Sequence, residues 1–161
     1  MSEFDYLYVF AEMSAILIGF TTIVVTFRRT QDKSEFSSYT LRNLIQRGLA
    51  TAVFATLPGL ISHIGQITDY VWQLSSLAFF LFSFTSSIVS YLWFRAIEPD
   101  DLPFSAKRYY FLSGIGWFFV LLTGLNVWLG ISWIYMLHVT YVFLSTGLLV
   151  ITYIESTNVD A

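Results

Sequence analysis

The chain has 161 residues, of which 56% are hydrophobic, 19% aromatic and 12% charged, with a mean hydropathy of +0.66. A soluble domain carries about 25% charged residues, so this composition excludes a soluble enzyme and a disordered tail. A net charge of -3 offers no basic surface and excludes nucleic acid as a partner.

A helix that crosses a bilayer needs about 20 mostly apolar residues. Five windows reach that length: residues 7–27, 48–66, 71–94, 109–129 and 133–154. Charges or turn residues separate them, and none alternates as a membrane β-strand does. The expected fold is an all-α integral membrane protein, a bundle of five transmembrane helices forming a single domain over residues 1–161. The opening Met1-Ser2-Glu3-Phe4-Asp5 is acidic where a cleavable signal peptide is basic, so the first window reads as a retained span.

Along the first window Asp5, Tyr8, Glu12, Ala15, Gly19, Thr22, Thr26 and Arg29 follow one another at alternating steps of three and four. That spacing places them on one helical face. Every residue in the stripe but the aromatic Tyr8 is small, polar or charged, and Ala11, Ala15 and Gly19 add a run of small residues beside it. Glu12 is the only charged residue within any window. An acid at mid-membrane costs roughly 2.5–3.5 kcal/mol on insertion scales, so it marks a functional position by default. In a conducting reading Glu12 binds or selects cations at an outer mouth. Ile16, Phe20 and Ile23 then form a hydrophobic constriction, and Arg28 and Arg29 rim the inner exit. The competing reading is a packing seam, because small residues also mark helix contacts in lipid.

Residues 28–47 form the longest polar stretch. Ser37 or Ser38 is expected to cap a helix through Tyr39, Leu41, Leu44 and Ile45 that runs into the second span. Arg42 and Arg47 are expected to reach lipid headgroups. The second window contains Pro58-Gly59, a tolerated kink, and carries the stripe Gly48, Ala52, Ala55, Gly59, Ser62 and Gln66. The third carries Gln73, Ser76, Phe80, Ser83, Ser87 and Ser90; the fourth offers Ser113, Gly116 and Thr123. Residues 98–103, with two prolines and three acids, read as a loop.

All eight bases fall in two stretches: Arg28, Arg29, Lys33, Arg42 and Arg47, then Arg95, Lys107 and Arg108. The positive-inside rule puts the N-terminus outside, the C-terminus inside, and residues 28–47 and 95–108 in cytoplasmic loops. The expected location is a bacterial inner or plasma membrane.

On this topology Glu12, His63, Asn126 and His138 fall in one outer layer. Four readings compete for this cluster. Glu12 and His138 form a structural hydrogen bond, or the cluster handles ions or protons at the mouth of a path. Alternatively Glu12, His63 and His138 hold a transition metal, or His63 and His138 ligate haem. The chain has no cysteine, and it lacks a triad, a zinc-protease helix motif, a phosphate-binding loop and a dinucleotide glycine run. No catalytic residue is assigned, and the chain is not expected to be an enzyme.

The run Ala11-Glu12, Gly19-Phe20 and Phe27-Arg28-Arg29 resembles the first span of many small bacterial membrane proteins, over about a fifth of the chain. Its order of outer acid, hydrophobic stretch and inner bases is similar in pattern, in the reverse chain direction, to the pore helix of store-operated calcium channels. The reading that follows is a homo-oligomeric ion channel or transport subunit, with the lipid bilayer, a cation and copies of itself as partners. The alternative is a non-catalytic subunit or scaffold that docks a membrane-protein partner through small-residue faces and its basic loop. A haem or metal protein is the third class.

Overall fold

A computed structural model describes residues 3–28, 35–64, 68–96 and 106–156. The regular elements among them are all helical: α1 (Glu3–Arg28), α2 (Glu35–Ser62), α3 (Val71–Ala96), α4 (Ala106–Leu129) and α5 (Ser132–Ser156). A 3-10 turn over Thr68–Tyr70 leads into α3. Each of the five helices is long and apolar enough to cross a membrane. This architecture is compatible with a multi-pass membrane protein, and its apolar outer faces fit contact with a lipid bilayer.

The second helix departs most from expectation. It starts at Glu35, so residues 35–47 are helix rather than loop, and Ser37 and Ser38 lie inside it instead of capping it. Burial is the reason. Tyr39 and Leu44 pack against Phe94 and Leu149 in a core cluster of their own, which outweighs the local polarity that shortened the hydropathy window. The helix also ends early, at Ser62, where the hydroxyl of Ser62 and Nδ1 of His63 each bond the Gly59 carbonyl at 2.7 Å. Gln66 lies outside the described residues.

α2 and α5 form the centre. α1 packs mainly on α2 and α5, α3 on α2 and α4, and α4 closes against α5. The main core cluster comprises Leu7, Ala50, Phe54, Ala55, Phe79, Tyr135 and Val139. The small stripe of α2 lets α1 approach, since Gly48 faces Ile18 and Gly59 faces Tyr8. Between α4 and α5 the chain reverses at Gly130, whose φ of 63° lies in the left-handed region that glycine adopts without a Cβ penalty. Thr21, Thr51 and Thr146 satisfy their buried hydroxyls on carbonyls four residues back, a local solution suited to a solvent without water.

Candidate functional site

Leu7, Ser14 and Thr21, spaced by seven, form the buried line of α1. The face bearing Glu12 turns away from the bundle. Glu12, Ala15, Ile16, Gly19, Phe20, Thr22 and Ile23 are all exposed, with Ile16 at 71%. A Cβ built on Gly19 meets nothing within 4 Å. Tyr8, at the start of the stripe, packs on Gly59 of α2, but from Glu12 to Ile23 the stripe is not a packing seam within one chain, whereas the α2 stripe is one. Arg29 lies outside the described residues, as do the side chains of Thr26 and Arg28.

The expected outer cluster does not assemble. Glu12 makes no hydrogen bond or ion pair among the described residues, so the anticipated Glu12–His138 bond is absent. His138 is instead buried and shares a 2.6 Å hydrogen bond with Thr123. Its ring stacks on Phe79 at 4.2 Å and on Phe119 at 6.0 Å. His63 is exposed, because the helix ends just before it, and bonds Gly59. Asn126 is fully buried. Its Nδ2 donates to the Ser76 hydroxyl at 2.8 Å and to the Ile131 carbonyl at 3.0 Å, while its oxygen accepts the Ile131 N–H at 2.8 Å. That set fastens the α4–α5 turn.

Among the described residues no three His, Asp or Glu side chains converge as a metal site, so the reading from Glu12, His63 and His138 loses its geometry. Nor does any contact join His63 to His138, which leaves bis-histidine haem ligation without support from the fold. Each imidazole is held by its own helix neighbourhood, and equal depth along the chain did not imply convergence.

The two arginines of α2 part company. Arg42 is exposed, its guanidinium 4.2 Å from the Trp93 ring centroid, an arrangement suited to an interface. Arg47 turns inward instead of reaching a headgroup, and donates from Nη1 to the Ser145 hydroxyl at 3.0 Å. It sits on the same side of α2 as Ala50, Phe54 and Thr51, which are buried, so its stem leads into the bundle. The serine stripe of α3 lines the same cavity as Arg47. Gln46 bonds Ser86 at 2.9 Å, and Ser90 bonds Asn43 at 2.8 Å. The sequence signal for this grouping was the stripe of serines itself, but nothing in it pointed to Arg47.

No protein-family model, no curated protein and no solved structure matches the chain.

Proposed function

We propose that the protein is a homo-oligomeric ion channel or transport subunit whose copies meet along the exposed face of α1. One observation carries this reading. The bundle covers the small and polar stripes of α2 and α3 internally, yet leaves the Glu12–Ile23 part of the only stripe that bears a carboxylate uncovered. An acid facing lipid is unfavourable, and such residues turn toward water or a partner. A closed ring of copies around a hydrated axis supplies both. Glu12 then attracts cations at the mouth, and Ile16, Phe20 and Ile23 narrow the path behind it. In this topology the N-terminus is outside, the C-terminus inside, and Arg28 and Arg29 rim the cytoplasmic exit. Purified protein in liposomes is expected to pass cations, with Glu12→Gln altering selectivity. Flux no greater than that of empty liposomes, in both proteins, overturns the reading.

The second reading is docking of a different membrane protein on the same face. The open approach at Ala15 and Gly19 favours it, since helix seams in lipid use small residues. It expects a specific co-purifying membrane partner and an unstable lone chain. A stable homo-oligomer in detergent decides against it.

A further inference from the structure

A cavity of about 50 Å³ opens between α2, α3, α4 and α5. At roughly 10–15 Å³ each, it has room for about four water-sized occupants. Its wall contains one cation, Arg47, and no Asp or Glu. Arg47 gives one N–H to Ser145, whose own proton goes to the Val142 carbonyl at 2.9 Å. No carboxylate pairs with the guanidinium among the described residues. Three serine hydroxyls on the same wall have protons to donate. Ser86 accepts from Gln46, which leaves its proton available, and Ser83 and Ser87 line the wall without a hydrogen bond among the described residues.

The wall thus gathers a guanidinium and three hydroxyl donors and supplies no counter-charge. Arg47 is half-buried with no carboxylate partner among the described residues, and guanidinium and hydroxyl donors form their strongest hydrogen bonds with anions. The small volume suits a halide, nitrate or formate and not a phosphodiester headgroup. We infer that this cavity binds a compact monoanion, held by Arg47 and the hydroxyls of Ser83, Ser86 and Ser87. The site is separate from the α1 face and stands whether or not that face joins copies.

The test is thermal unfolding of the full-length protein in phosphatidylcholine nanodiscs, titrated with chloride or nitrate against gluconate at fixed ionic strength. Chloride or nitrate is expected to raise the melting temperature saturably, and gluconate is not. Arg47→Gln is expected to raise the half-saturating concentration at least roughly tenfold, as befits a charge-assisted hydrogen bond. Arg42→Gln leaves it unchanged. Should Arg47→Gln fail to fold, the Ser83→Ala/Ser87→Ala double variant decides, with a rise of roughly threefold to tenfold expected. An equal response in wild type and these variants overturns the proposal, as does a response that follows ionic strength alone. Stabilisation that needs phosphatidylglycerol in the disc and ignores free anion also overturns it, in favour of a lipid phosphate.

Discussion

The hydroxyl of Tyr135 donates to the backbone carbonyl of Phe54 at 2.6 Å, deep between α5 and α2. Phe54 lies four residues before Pro58, which has no N–H to return the helical bond. The proline leaves one carbonyl unpaired in a setting without water, and a fully buried tyrosine supplies the missing donor. Tyr135→Phe is expected to destabilise the fold by about 1–3 kcal/mol, the cost of an unsatisfied buried acceptor. In a Pro58→Ala background the alanine N–H can take the carbonyl, so the same substitution is expected to cost about 1 kcal/mol less. Equal costs in both backgrounds, read by reversible unfolding in mixed micelles, refute the link.

Two glycines on facing helices are expected to behave oppositely. A Cβ at Gly48 falls 2.7 Å from Cγ1 of Ile18 in α1, an atom near the backbone that moves only if the seam opens. Gly48→Ala is expected to cost about 1–3 kcal/mol through overpacking. Gly19→Ala meets open space and is expected to be neutral or to gain up to about 1 kcal/mol from helix propensity. Melting temperatures of the two variants check the contrast.

Asn126 ties Ile131 by both backbone groups and reaches Ser76 across to α3. Asn126→Ala removes all three bonds and is expected to cost about 2–3 kcal/mol, since Ser76 stays fully buried and Ile131 half-buried. The loss should concentrate at the α4–α5 turn, where hydrogen exchange at Gly130 and Ile131 is expected to rise first. Uniform exchange across the molecule counts against this account.

The absence of native cysteine makes the proposed α1 contact directly testable. Ile16→Cys is expected to give a disulfide-linked dimer in membranes under mild oxidation. Leu121→Cys, on an exposed α4 position, serves as the control and is expected to stay monomeric. Equal cross-linking of both removes support for an assembly through α1.

Much of the fold was legible because a bilayer imposes a length and forbids unsatisfied backbone. The windows from Val71 and Trp133 fell within a residue or two of the starts of α3 and α5. The second window failed where Arg42, Asn43, Gln46 and Arg47 interrupt the apolar run, because hydropathy counts polar residues without knowing that Tyr39 and Leu44 are buried beside them. The side chains that converge were less legible for a related reason. Depth along a helix follows from counting residues, but rotation about the helix axis does not.

Glu12, His63, Asn126 and His138 show the consequence. Counting placed them in one layer, yet packing sent Glu12 outward, Asn126 and His138 inward, and His63 past the helix end. By itself the sequence determined helical class, five membrane-length segments and a single acid within them, since each depends on local composition. Only the tertiary structure decided that Arg47 faces a serine-lined cavity and that the Glu12 stripe stays uncovered. Apolar helices show polar marks on several sides, and neighbouring surfaces select which side is buried.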